Sequence, residues 1–364
     1  MSRDLRDSIL RWYLANRRRL PWRETRDPYA IWVSEVMLQQ TRVETVVAYY
    51  ERFLRTFPTV RALAKARESD VLASWSGLGY YRRARNLHAA AQLVAREHAG
   101  RLPQDPPTLR ALPGIGEYTA AAIASVAFGR AAAAVDGNVI RVLSRIHGLR
   151  GTRTSLRLRR AVLERAERMA QGPRPGDWTQ ALMELGATVC LPREPLCGRC
   201  PASRRCAARR AGTPDRYPEP AAAVKPRAGR RLLLLARDGR RVFLVTDPDD
   251  SHATWTLPYA SLDAHRPARA ARALSRRYWD TDYQPEGPRA IFRHRTFSHD
   301  WTYEVWSLSV GLAGFSEARG RPPERAARAA SAAQAGSAVW VGERRVHRLP
   351  VRAHTLKALK RAWK

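Results

Sequence analysis

The chain has 364 residues, enough for two domains with separate cores, and it carries 65 Lys and Arg against 33 Asp and Glu, a formal charge of +32. No apolar run approaches the length of a membrane span and the N-terminus, MSRDLRDSILRW, is charged and amphipathic, so neither anchor nor signal peptide is expected and a cytoplasmic location follows. The charge points to a polyanionic partner along both halves, since residues 1–210 hold 37 basic and 18 acidic side chains and residues 211–364 hold 28 and 15; arginine-favouring codon usage is the competing source, because only five of the cations are lysine.

From Leu5 to about Arg210 apolar residues recur at helical spacing between breaks such as Arg26-Asp27-Pro28, Thr56-Phe57-Pro58 and the proline-rich 103–107, which predicts an all-helical domain over 1–210. Within it, IWVSEVMLQQT (31–41) sets Glu35 among apolar helical neighbours, where desolvation would raise its pKa and keep a proton available. Farther on, LPGIGEYTA (112–120) is a tight Pro-Gly-x-Gly bend ahead of a helix; the backbone amides of such a bend form a concave anion site. Asp136, ahead of Val139-Ile140-Arg141-Val142-Leu143, reads as a helix N-cap, and a carboxylate held by amide N–H groups stays ionised.

All four cysteines fall in seventeen residues, Cys190, Cys197, Cys200 and Cys206, spaced C-x6-C-x2-C-x5-C. In a reducing compartment this predicts a metal site, and the uneven steps suit an iron–sulfur cube better than zinc. Residues 211–228 hold four prolines and read as a linker. Beyond it RLLLLARDGRRVFLVT (231–246) is a hairpin about Asp238-Gly239, the segments 291–310 and 338–341 read as strands, and 354–363 as a closing helix, so 229–364 is α+β. Residues 316–337 fit either a surface helix or a loose insertion.

The bend 112–120, the stretch Val135-Asp136-Gly137-Asn138 and the cysteine spacing together resemble the endonuclease III superfamily of DNA glycosylases, and 31–41 resembles its adenine-specific, MutY-type branch. The resemblance implies a multidomain fold: an all-α helix-hairpin-helix glycosylase domain with a [4Fe-4S] loop at 190–206, then a Nudix-like α+β domain that has lost catalysis. It implies a monomeric, nucleoid-associated enzyme of base excision repair acting on duplex DNA. Glu35 would protonate adenine, Asp136 would stabilise or briefly capture the sugar cation, and Tyr118 and Asn138 would complete the catalytic set. Tyr118 stands where strand-nicking members carry lysine, which points to a monofunctional enzyme.

By the same resemblance Trp22, Arg23 and Gln180 line the adenine pocket, Gln40 and Tyr80 wedge into the duplex, and Leu112, Gly114 and Gly116 form the DNA-gripping hairpin. Phe297, Ser298 and His299 would detect 8-oxoguanine, whose N7–H donor and C8 oxygen a hydroxyl and an amide at Ser298 and His299 can read. The competing readings are a thymine or uracil mismatch glycosylase on the same scaffold and a DNA-bound iron–sulfur redox sensor.

Overall fold

The structure is a computed structural model that describes residues 2–220, 226–246, 254–262, 266–279, 284–296, 299–310, 338–346, 349 and 351–363. It divides into two compact units, Met1–Lys65 with Asn86–Ala223 and Ala66–Arg85 with Val224–Lys364. Two stretches therefore differ from the sequence expectation. Segment 66–85, read as part of the helical half, belongs to the second unit, where Ser76 Oγ donates to Leu349 O at 3.4 Å. Residues 211–220, read as linker, are fastened within the first: Arg145 Nε donates to the carbonyls of Pro214 (2.9 Å) and Tyr217 (3.1 Å), and Glu219 N donates to Gly151 O at 2.9 Å. These bonds span 69 and 72 residues, so local composition carries no trace of them.

Along the chain the helices are α1 (Ser2–Asn16), α2 (Pro28–Leu38), α3 (Val43–Thr56), α4 (Val60–Lys65), α5 (Glu68–Trp75), α6 (Tyr81–Glu97), α7 (Pro106–Arg110), α8 (Glu117–Phe128), α9 (Gly137–His147), α10 (Leu156–Ala170), α11 (Pro175–Thr188) and α12 (Ala207–Arg210). Asp27 accepts from Tyr29 N and starts α2, with Pro28 pre-set in its first turn. Apolar on every side, α2 and α8 pack on each other, and α11 packs on α8 and α9. A core of Ile9, Tyr13, Val139, Leu143, Val162, Trp178 and Leu185 joins α1, α9, α10 and α11. Among the described residues no helix is long and apolar enough to cross a membrane.

The second unit carries a seven-stranded sheet among its described residues: β1 (Arg227–Asp238), β2 (Arg241–Thr246), β3 (Trp255–Thr256), β4 (Tyr259–Ser261), β5 (Glu286–Arg295), β6 (His299–Ser309) and β7 (Ala338–Gly342). Its order is β3-β2-β1-β6-β5, with β4 on β1, β7 on β2, and β1 parallel to β6. The unbroken run Leu232–Ala236 is buried because both faces are covered. Leu232, Leu234 and Ala236 join the cluster containing α13 (Pro267–Tyr278), and Leu233 and Leu235 join the one containing the closing helix Ala353–Ala362. Residues 316–337 lie outside the described residues.

Candidate active site

In the first unit a cavity of about 250 Å³ is lined by Trp22, Arg23, Glu35, Tyr118, Asp136, Asn138 and Gln180, together with Arg18, Ser34, Met183 and Glu184. α2 supplies Glu35, α8 Tyr118, the start of α9 Asp136 and Asn138, and α11 Gln180, Met183 and Glu184. Residues about 160 positions apart in sequence thus line one cavity, brought together by the packing of α2, α8, α9 and α11.

Glu35 is the one charged residue of α2. It keeps some accessible surface because it lines the cavity, yet the protein around it is deep enough that desolvation pushes its pKa up to about 7. The Tyr118 hydroxyl donates to it and pulls the other way, the negative Asp136 adds to the rise, and Arg23 subtracts from it. Burial also lifts Tyr118 well above the usual phenol range, so that hydroxyl keeps its proton; it lies 3.5 Å from Met183 Sδ.

Asp136 caps α9. Its Oδ1 accepts from Val139 N at 2.7 Å and its Oδ2 from Asn138 Nδ2 at 3.0 Å. Asn138 in turn accepts from Arg141 Nη2 at 2.9 Å, and Arg141 donates to the carbonyls of Gly186 and Cys190. The carboxylate is therefore fixed in direction by main-chain and side-chain donors.

Sequence reasoning missed Glu184. Its side chain is 1% exposed and bonds Arg18 through Nε and Nη2 (both 2.8 Å) and Arg23 through Nη2 (2.8 Å). Burial alone would raise its pKa, but the two guanidinium groups overturn that and bring it down to about 2. Arg23 also stands over the Tyr13 ring, and Trp22, in the 3₁₀ turn Pro21–Arg23, packs edge-on against Tyr50. The only sequence trace of this trio is the basic run Arg17-Arg18-Arg19, which gives no hint of its partner.

Other expected site residues stand outside the cavity lining. Leu112 is buried under the bend, and Gly114 has φ 78° with Asn86 so close that a Cβ there would come within 2.6 Å of the Asn86 Cβ. Gly116 caps α8 in extended backbone and has open space beside it. Gln40, just past α2, is exposed and holds φ 57°. Tyr80, which belongs to the second unit, is 62% exposed at φ 50°. Left-handed backbone at a non-glycine residue costs on the order of 1–3 kcal/mol and persists where the surroundings impose it. For Tyr80 the surroundings are Arg83, whose Nη2 donates to Gly79 O at 3.2 Å and whose guanidinium lies over the Tyr80 and Trp75 rings.

Cys190, Cys197, Cys200 and Cys206 are all free thiols and all line one small cavity with Arg145, Leu185 and Val189. Burial pushes the Cys200 thiol up to about 11 and raises Cys206. Among the described residues no three His, Cys, Asp or Glu side chains are grouped to hold a single metal ion. Arg145 donates to Cys190 Sγ at 3.4 Å and to the carbonyls of Leu191 (2.5 Å) and Pro192 (2.8 Å). Arg205, between Cys200 and Cys206, is ion-paired with Asp4, a partner 201 residues away.

In the second unit Phe297 and Ser298 lie outside the described residues, and His299 opens β6. The expected free amide of His299 is already committed: it donates to Thr296 Oγ1 at 3.1 Å, and Thr296 N donates to His299 O at 2.8 Å.

Residues 33–168 match the family model described as HhH-GPD superfamily base excision DNA repair protein. The chain is 46% identical over 213 residues to adenine DNA glycosylase of Homo sapiens, a match covering 56% of this chain and 39% of that protein. It is 44% identical over 211 residues to adenine DNA glycosylase of Mycobacterium tuberculosis, covering 57% of this chain and 68% of the relative. Among solved structures, a thermostable thymine-DNA glycosylase superposes with a TM-score of 0.53 at 33% identity, over 57% of this chain and 95% of the other. The helical unit, with its glycine bend and acid-lined cavity, is thus of the helix-hairpin-helix base excision repair class. Within that class the chain belongs to the adenine DNA glycosylase family. The matched stretch spans about two fifths of the human relative's length.

Proposed function

We propose that the protein is a monofunctional adenine DNA glycosylase that hydrolyses the N-glycosidic bond of adenine mispaired with 8-oxoguanine or guanine in duplex DNA. The observation that carries this reading is one cavity holding a carboxyl group poised near pH 7, Glu35, together with Asp136, a capped carboxylate fixed by donated hydrogen bonds. Glu35 gives its proton to the adenine ring, the C1′–N9 bond breaks with its electron pair going to the base, and Asp136 faces the positive charge left on the sugar. Water adds to C1′ and loses its proton, so the products are free adenine and an abasic site. Tyr118, a phenol that keeps its proton, cannot form a Schiff base with that site, so strand nicking stays weak.

Around this chemistry the remaining residues take supporting roles. Trp22, Arg23 and Gln180 bound the base, with Glu184 holding Arg18 and Arg23 in place. Gln40 and Tyr80, both at left-handed backbone, enter the duplex as the adenine is extruded, a step that costs a few kcal/mol of stacking. The bend at Leu112, Gly114 and Gly116 offers its amides to phosphate. The domain 229–364, of Nudix-like type, reads the opposite base through Phe297, Ser298 and His299.

The cysteine set fits a thiolate-held group. Four free thiols border one cavity, with the Arg145 guanidinium donating to Cys190 Sγ beside it. Cys190, Cys197, Cys200 and Cys206 would hold a [4Fe-4S] cluster. When bound it would pin the loop 190–206, which keeps exposed Arg193, Arg199 and Arg204 available for the DNA backbone. Iron and sulfide assays with the visible absorbance of the purified protein test this assignment, which predicts about four irons per chain; stoichiometric zinc would overturn it.

The experiment for the function itself is incubation with duplexes carrying adenine opposite 8-oxoguanine, adenine opposite guanine, or thymine opposite guanine, followed by hot alkali to reveal abasic sites. Adenine released fastest from the first duplex supports the proposal. The 33% identity to a thymine-DNA glycosylase favours a second reading, and thymine released in preference to adenine would establish it.

A further inference from the structure

Resting on the reading of Glu35 as the proton donor, we infer that Met183 is a positioning residue that acts through Tyr118. Its sulfur accepts the Tyr118 hydroxyl while Glu35 carries a proton, and yields that hydroxyl to the Glu35 carboxylate once the proton has passed to the base. A phenol has one proton to donate, so it serves one acceptor at a time. Tyr118 faces two: Met183 Sδ, 3.5 Å from its oxygen, and the Glu35 carboxyl group, whose anion the hydroxyl stabilises. All three side chains line the same cavity.

The fold sets the sulfur at that distance. Tyr118 of α8 and Met183 of α11 pack on one patch of small residues, Ala121, Ala122 and Ala134. α11 comes close to α8 at Gly176, where a Cβ would fall 2.6 Å from the Ser125 carbonyl oxygen. A carboxylate is a strong acceptor and a thioether a weak one, so the hydroxyl turns with the charge on Glu35. While Glu35 is neutral, the sulfur keeps the half-buried hydroxyl satisfied. That bond favours the protonated state of Glu35, as burial and the negative Asp136 do, and Arg23 works against it. Glu184, the charged group that α11 itself brings to the cavity, is bonded to Arg18 and Arg23.

Three variants of the full protein test this: Met183→Leu, which conserves volume and removes the acceptor, Tyr118→Phe, which removes the donor, and the two together. One readout is the pH at which single-turnover adenine release falls. The other is the pH at which the carboxyl C=O band of Glu35, identified by its loss in Glu35→Gln, disappears from infrared difference spectra. Met183→Leu is expected to move both midpoints down by about half a pH unit, which is about a threefold lower rate near pH 8 relative to the variant's own low-pH plateau. Tyr118→Phe is expected to move both midpoints up, and adding Met183→Leu to it to move them no further, since no hydroxyl remains to be placed. Midpoints unmoved in Met183→Leu, or moved as far in the Tyr118→Phe background as in the wild type, overturn the inference. A Glu35 band that titrates while adenine release shows no matching limb overturns the reading of Glu35 as the donor, and with it the catalytic role given to Met183.

Discussion

Glu35 and Glu184 line the same cavity, and burial is the leading influence on both, yet one ends near 7 and the other near 2. The difference lies in what each wall provides. α2 surrounds Glu35 with Ile31, Trp32, Val36 and Met37 and leaves it one phenol as donor, whereas α11 sets Glu184 against two guanidinium groups. Burial alone does not decide protonation: the carboxyl group with no guanidinium bonded to it holds its proton up to about pH 7, and the one bonded to two guanidinium groups is held as a carboxylate.

The largest effect expected from breaking this contrast is at Glu35. Glu35→Gln should lower adenine release by about 10²–10⁴-fold while duplex affinity by gel shift stays near that of the wild type. A variant that still releases adenine at a comparable rate would remove the acid from the account. Asp136→Asn should cost about 10²–10³-fold in the same assay, with little change in stability, since asparagine caps a helix as well as aspartate does. A large fall in melting temperature would instead make Asp136 a structural residue.

On the other wall, Arg23→Met leaves Glu184 with Arg18 as its remaining guanidinium and should destabilise the protein by about 2–3 kcal/mol in urea unfolding. Destabilisation should be smaller in a Glu184→Gln background, because the stranded charge is then gone. An additive double variant would contradict the pairing.

The two carboxyl groups should also pull stability in opposite directions with pH. The native pKa of Glu35 lies above its ordinary value of 4.5, so the folded chain holds an extra proton between about 4.5 and 7; its contribution is complete below that window and lost as pH rises through it. Glu184 contributes above 4.5 and loses its contribution as pH falls through about 2. Glu35→Gln should therefore gain stability relative to wild type on going from about pH 5 to about pH 8, by on the order of 2 kcal/mol. A pH-independent difference would show that Glu35 titrates normally. The smallest effect belongs to the bend: Gly114→Ala, forced into left-handed backbone and against Asn86, should cost about 1–2 kcal/mol of stability and weaken duplex binding.

How much of this could be read from the sequence divides by distance along the chain. Glu35 stands out because its helical neighbours are apolar, and Asp136 because a cap and the helix that follows are contiguous, so both are local patterns. The glycine bend and the hairpin at Asp238-Gly239 are local as well. The Glu184 anchor joins residues 161 and 166 positions apart, and nothing near Glu184 announces its two arginines. The same holds for Arg145, which stitches Cys190 to Pro214 and turns an expected linker into part of the first unit, and for Ser76, whose bond to Leu349 draws 66–85 into the second. Spacing identified the four cysteines, but the arginine that braces them is a property of the fold.

The most direct test of the central claim is the pH dependence of single-turnover adenine release from a duplex carrying adenine opposite 8-oxoguanine. Proton donation by Glu35 predicts a rate that falls as pH rises through about 7, with this limb absent from the residual rate of Glu35→Gln. A wild-type rate that stays level or climbs through that range would contradict it.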